Sequence, residues 1–145
     1  MPRLLTLASL ALSLSLPTAT IAQVKIQIPT QHYRVRQEIH AKVENTGTYP
    51  VTACLTFLPE STISPFEVQQ YGNGKWGTLL LAIDIAGSVA TVLDAGKSYE
   101  FPLRLNGPGR MRLRLNYWRG SIPDLHCNAL PKGSKLATST VFIVE

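Results

Sequence analysis

Three arginines at alternate positions, Arg110, Arg112 and Arg114, with Trp118 and Arg119 just beyond them, are the residues of this chain best suited to chemistry. That chemistry is recognition. Guanidinium groups spaced by two along an extended segment fall on one side of it, forming a row of N–H donors for carboxylates, sulfates or an acidic partner, with tryptophan adding stacking. The plainer reading of the same row is a solvated sheet face whose long arginine stems cover apolar surface. Trp76, after Gly74 and Lys75, is equally two-sided, either a contact anchor near a hairpin tip or a ring folded into the core.

Catalytic arrangements are missing from the pattern. There is no Gly-x-Ser-x-Gly elbow, and Glu38, Glu60, Glu67, Asp84, Asp94 and Asp124 stand singly among strand and turn positions. The histidines are His32, His40 and His126. His126 beside Cys127 has the look of a copper site on a β-sandwich, yet the later His and Met at short spacing after the cysteine are lacking. The expectation is a protein that is not an enzyme and carries no cofactor and no metal.

Residues 1–22 set the compartment in which the rest must be read. Arg3 supplies a charged start, Leu4 to Leu16 is apolar apart from Thr and Ser, Pro17 ends the run, and Thr20-Ile21-Ala22 suits a signal peptidase. This reads as a secretory signal peptide cleaved between Ala22 and Gln23; a buried N-terminal helix is the alternative. A spanning helix needs about 20 predominantly apolar residues, so no transmembrane anchor is expected in the mature form, which is secreted or periplasmic.

The only cysteines, Cys54 and Cys127, both fall after the leader. An even count in an exported chain favours a disulfide, which here would close a loop of roughly 70 residues and contribute on the order of 4 kcal/mol in the chain-entropy model. Two free thiols or a metal site are the competing readings, and no Cys/His cluster of ligand spacing accompanies the pair. Of the 14 Lys plus Arg only Arg3 lies in the leader, so against 9 Asp plus Glu the remainder is mildly basic. No run of five like charges and no aromatic stacking motif occurs, which excludes nucleic acid as the main partner.

The elements that must position these residues are strands. Val24, Ile26 and Ile28 share a face until Pro29; Ile39, Ala41 and Val43 repeat the device; Asn45-Thr46-Gly47 is a turn, on the expectation that Asn and Gly adopt positive φ there. Val51, Ala53, Leu55 and Phe57 form a third apolar face with Cys54 opposite, either on an external staple or on a strand covered from both sides. Phe66 to Ala82 reads as a hairpin around Gly72-Asn73-Gly74, with Leu79 to Ile83 ambiguous between buried strand and short helix. After Val89 to Leu93 and a turn at Asp94 to Lys97, the residues Tyr99, Phe101, Leu103 and Leu105 face inward, and Pro102 marks an edge or a bulge. Arg110 to Trp118 is the clearest strand, with Met111, Leu113, Leu115 and Tyr117 inside and Arg110, Arg112, Arg114, Asn116 and Trp118 outside. A loop from Gly120 to Gly133 precedes a last strand over Ala137 to Val144. The sum is one domain, 23–145: an all-β, antiparallel sandwich of about 7 to 9 strands.

The segments Glu44-Asn45-Thr46-Gly47 with Pro50-Val51, Leu93 through Phe101, Gly109-Arg110-Met111-Arg112-Leu113 and Val141-Phe142-Ile143-Val144 resemble the immunoglobulin-like or fibronectin-III-like sandwich domains of exported bacterial proteins. The resemblance runs over nearly all of 23–145. It implies that fold and a non-catalytic role, and it transfers no active site. Met111 stands where such domains often carry a tyrosine that ties down the corner, and Cys127 lies in a loop, unlike the antibody-type pair. The functional expectation is an exported binding or accessory module whose partner is a protein or envelope component, with Arg110, Arg112, Arg114, Trp118, Arg119 and Trp76 as the possible surface. The second reading is a secreted inhibitor of a protease or other hydrolase that inserts the Cys127-tethered loop, Ser121 to Ser134. The sequence does not specify the oligomeric state.

Overall fold

The computed structural model describes residues 23–56, 65–80, 89–127 and 132–145. The signal peptide, Phe57, Glu60, residues 81–83 of the ambiguous apolar run and Asp84 lie outside the described residues. Within them the chain forms eleven strands: β1 (Val24–Gln27), β2 (His32–Tyr33), β3 (Glu38–Asn45), β4 (Val51–Thr56), β5 (Glu67–Gly72), β6 (Lys75–Leu80), β7 (Val89–Leu93), β8 (Ser98–Arg104), β9 (Gly109–Arg119), β10 (Lys135–Thr138) and β11 (Phe142–Val144).

One sheet has the order β1-β3-β8; the other is organised around β9. At about 3.4 Å per residue, β9 is long enough for each of its edges to serve two shorter strands end to end. β4 and β5 follow one another along one edge, β10 and β11 along the other. β7 lies outside β4, β6 outside β5 and β2 outside β11. With β2 and the β5–β6 hairpin set aside and β10 and β11 counted as one strand, the first, second and fifth strands (β1, β3, β8) share one sheet while the third, sixth and last (β4, β9, β10–β11) share the other. That is the immunoglobulin-like distribution, with β7 joining β4 instead of β8.

The period-2 pattern explains the core. Ile39, Ala41 and Val43 from β3 meet Val51, Ala53 and Leu55 from β4 and Met111, Leu113, Leu115 and Tyr117 from β9, all buried, as the alternation predicts. Tyr33 packs edge-on against Phe142 with ring centroids 5.9 Å apart. Pro102 lies in β8, an edge strand of its sheet, as its missing N–H requires.

Four expectations need correction. First, Asn45 and Gly47 do not adopt positive φ. Asn45 is a fully buried β3 residue, and glycine is needed at position 47 because a Cβ there would run into the Gln23 side chain. Second, the last strand is two strands. Ser139 gives its N–H to the Leu113 carbonyl and takes the Leu113 N–H on Oγ, at 2.9 Å each. A side-chain oxygen thus does the work of a backbone carbonyl, and the ladder breaks between β10 and β11. Third, β2 pairs with β11 in parallel, so the larger sheet is mixed. Fourth, Tyr99 points along the inner face as its alternation requires but is 45% exposed, because β8 is an edge strand with no strand beyond it among the described residues.

Candidate binding surface

The β5–β6 hairpin turns at Asn73 and Gly74, whose φ values of 51° and 76° are those of a two-residue primed turn. The turn fixes register. Tyr71 faces Trp76 and Gln69 faces Thr78 within the hairpin, while Glu67, Gln69 and Tyr71 face Arg114, Arg112 and Arg110 of β9. The arginine row therefore does not look onto bare solvent. It is laddered against a second row, Glu67-Gln69-Tyr71, and that row against a third, Trp76 and Thr78.

Each arginine meets a different chemistry. Arg114 Nη1 lies 3.5 Å from Glu67 Oε2, and the same carboxylate accepts from Gln69 Nε2 at 2.8 Å and Thr78 Oγ1 at 2.7 Å. Arg112 donates through Nε to Gln69 Oε1 at 2.8 Å while its guanidinium lies 4.2 Å over the Trp76 ring. Arg110 lies 5.1 Å over Tyr71, which in turn contacts Trp76 with centroids 5.3 Å apart. A guanidinium stacked on a ring has its face covered and its in-plane N–H groups still directed outward. Among the described residues no carboxylate pairs with Arg110, Arg112 or Arg119, so this cluster retains positive charge and donors for a ligand.

The remaining sequence candidates go elsewhere. Trp118 is not on the outer surface: it is 4% exposed. Cys54 and Cys127 are joined in a disulfide, which draws the segment after Gly120 back over the outer face of β4 and β9. Thr52, opposite Trp118 in register, donates from Oγ1 to the Gly120 carbonyl at 2.7 Å and accepts from the Ile122 N–H at 2.9 Å. Thr52, Trp118, Leu125 and Cys127 are buried there, so β4 is a strand covered on both sides. Arg119 follows the parity of Tyr117 and leaves β9 on the side opposite to Arg112, where it lies 4.2 Å over Tyr49. Trp76, Arg110, Arg112 and Arg114 are thus one cluster, Arg119 a separate one, and Trp118 part of a satellite core.

The reading of the sequence missed Glu67, Gln69, Tyr71 and Tyr49. A signal existed for the first three: Glu67-x-Gln69-x-Tyr71 has the same spacing of two as Arg110-x-Arg112-x-Arg114. It could not be used without knowing that β5 adds to β9 from more than 30 residues away in sequence. Nothing around Tyr49 announces its stacking partner.

On the outer face of the smaller sheet, Glu38 sits between Arg104 Nη2 at 2.7 Å and His40 Nε2 at 3.1 Å, and His40 Nδ1 lies 2.8 Å from Glu100. The hydrogen bond from Arg104 holds the Glu38 carboxyl below its ordinary value; desolvation opposes it, and the charges of Arg104 and His40 add to the lowering. Among the described residues no three His, Cys, Asp or Glu side chains are grouped to hold a metal ion, and no helix is long and apolar enough to cross a membrane.

No protein-family model and no curated protein matches this chain. Two solved structures align with it. The ASH/PapD-like domain 7 of human CEP192 is 16% identical, covering 97% of this chain and 93% of that one, with a TM-score of 0.33. WR4, a C. elegans MSP family member, is 10% identical over 79% of this chain and 94% of its own, with a TM-score of 0.38. At such scores neither carries an inference, and the sandwich architecture stands on the strand pairing itself.

Proposed function

We propose that this chain is an exported, non-catalytic β-sandwich module that binds a protein or envelope component through the β5–β6–β9 face. The observation that supports this reading most is the pair Arg112 over Trp76: a planar guanidinium held in place by a ring and by Gln69, with no carboxylate among the described residues to neutralise it. Such a group is preorganised for a carboxylate or sulfate, and Trp, Tyr and Arg are the residue types that dominate binding energy at interfaces. Export rests on residues 1–22 and fits the Cys54–Cys127 disulfide.

The inhibitor reading would rest on the Cys127-tethered loop, of which residues 128–131 lie outside the described residues; Leu125 and Cys127, at its start, are folded down against the sheet.

The test has two parts. Intact mass of the exported protein is expected to give a chain starting at Gln23, or its cyclised form, and two hydrogens lighter than the reduced chain. Cross-linking and recovery from periplasm or medium with the native protein and with Arg112→Gln is expected to capture one acidic partner with the former and lose it with the latter. Equal recovery by both removes the face from the mechanism. Stoichiometric capture and inhibition of a hydrolase would favour the inhibitor reading instead.

A further inference from the structure

The far end of β9 carries a second arginine–aromatic pair, about 24 Å along the strand from Arg112 at about 3.4 Å per residue. Tyr49 is 53% exposed, the most of any large hydrophobic residue among those described, and the Arg119 guanidinium lies 4.2 Å over its ring. An exposed side chain is ordinarily free to move, but the backbone beneath this one is held. The Tyr49 carbonyl accepts from Gln23 Nε2 and from Asn45 Nδ2, each at 2.8 Å, and the Pro50 carbonyl accepts from the Gly120 N–H at 2.8 Å. The first two bonds come from the smaller sheet and the third from the residue after Arg119, so both members of the pair stand on one clamped corner.

Basic groups outnumber acidic ones there, and the nearby Glu44 is already paired with Lys42 at 3.9 Å. Lys97, whose carbonyl takes the Asn45 N–H, and Lys135, opposite Tyr117, are exposed at the same end of the sandwich; Asp94 is the acidic residue of the adjoining turn, and no carboxylate among the described residues pairs with Arg119. Stacking on Tyr49 covers the guanidinium face and leaves its edge free to bind a carboxylate bidentately. A fixed geometry lowers the ordering cost of doing so.

We infer that the Tyr49–Arg119 corner is a second contact site, separate from the β5–β6–β9 face, for an acidic polypeptide segment, with a carboxylate on Arg119 and an apolar side chain against the exposed part of Tyr49. Two sites at opposite ends and opposite sides of one strand let the module touch two partner segments at once.

NMR titration of the disulfide-bonded protein with a short peptide of alternating glutamate and leucine tests this. Saturable shifts of the Arg119 Nε–H and Tyr49 ring signals are expected, absent with the glutamine–leucine peptide. Arg119→Gln and Tyr49→Ala are each expected to weaken binding at this corner about tenfold, and Arg119→Lys to fall between native and Gln. Arg112→Gln leaves the corner signals unchanged, which separates this site from the other face. Equal shifts with the glutamine peptide, or unchanged affinity in Arg119→Gln with a native spectrum elsewhere, would overturn the assignment.

Discussion

The side-chain amide of Asn45, on β3 of the smaller sheet, donates to the Leu93 carbonyl on β7 of the larger sheet at 2.9 Å. Its second hydrogen goes to the Tyr49 carbonyl at 2.8 Å, and its oxygen accepts the Gly47 N–H at 3.0 Å. One fully buried amide therefore joins both sheets and shapes the turn that follows it. Removing it takes a partner from the buried Leu93 carbonyl, which costs about 1–3 kcal/mol, and from the part-buried Gly47 N–H, which costs less because water can reach it. Asn45→Ala is expected to destabilise the fold by about 2–4 kcal/mol in urea denaturation. Asn45→Asp should be worse, because it turns an acceptor toward two carbonyls. Native stability in the Ala variant would show that Asn45 is not the tie between sheets.

The disulfide spans 73 residues of sequence. The chain-entropy model gives about 4 kcal/mol for a loop of that size. The bond also holds the segment that covers Trp118. Reduction is expected to lower the denaturation midpoint by an amount of that order and to red-shift Trp118 emission before the core unfolds. Trp76 contributes a constant background, which Trp76→Phe removes. Reduced and oxidised proteins with identical emission would mean that Thr52, through Gly120 and Ile122, holds the segment unaided.

Much of this architecture could be read from side-chain alternation, since Ile39-x-Ala41-x-Val43 and Met111 through Tyr117 can bury one face only as strands. The pairing of the cysteines followed from their number. What alternation leaves open is which strand lies beside which, and the candidate site is made by that choice: Arg112 is half-buried because β5 lies against it, and Trp118 is buried because Cys127 is bonded to Cys54. A period of two assigns a residue to a face and says nothing of what covers that face. Asn45 was misread for a related reason, because a turn-forming residue and a buried amide look alike until their acceptors are known.

The hairpin is docked on its outer face by Arg112, Trp76, Tyr71 and the Glu67 carboxylate. Trp76→Ala removes a cation–π contact and an aromatic pair, each worth about 0.5–1.5 kcal/mol, and is expected to speed hydrogen exchange in β6 while leaving β3 and β8 unchanged. Arg114→Gln should change stability by less than about 1 kcal/mol, as for a partly exposed ion pair, since Glu67 keeps its bonds from Gln69 and Thr78. Exchange that rises equally in every strand after Trp76→Ala would contradict local docking.

Glu38 connects acid stability to the outer face of the smaller sheet. Its carboxyl is lowered below the ordinary 4.5, first by the hydrogen bond from Arg104. A carboxyl depressed in the folded state stabilises above its unfolded pKa and loses that contribution as pH falls through the folded value. Arg104→Gln is therefore expected to lower stability modestly near pH 7, as for an exposed pair, and to make the acid limb shallower, the two proteins converging once pH is below the folded Glu38 value. Stability curves of native protein and variant that stay parallel from pH 7 down through the acid limb would exclude this pair from the acid response.

Tyr117 sets the opposite limit. Its hydroxyl is buried at the end of the core, and burial raises its pKa above the ordinary 10.0, although bonds from the Gln23 and Val24 backbone oppose the shift. The folded protein thus keeps a proton that the unfolded chain releases at about pH 10, so the contribution is complete below that pH and is lost as pH rises through the higher folded value. Tyr117→Phe removes the titration together with an acceptor for the start of β1. The variant is expected to lose about 1 kcal/mol at pH 7 and to show a flatter stability profile above pH 10 than the native protein. Parallel alkaline profiles would show that another group governs the base limb. An undiminished stability at pH 7 would show that the phenol does not anchor β1.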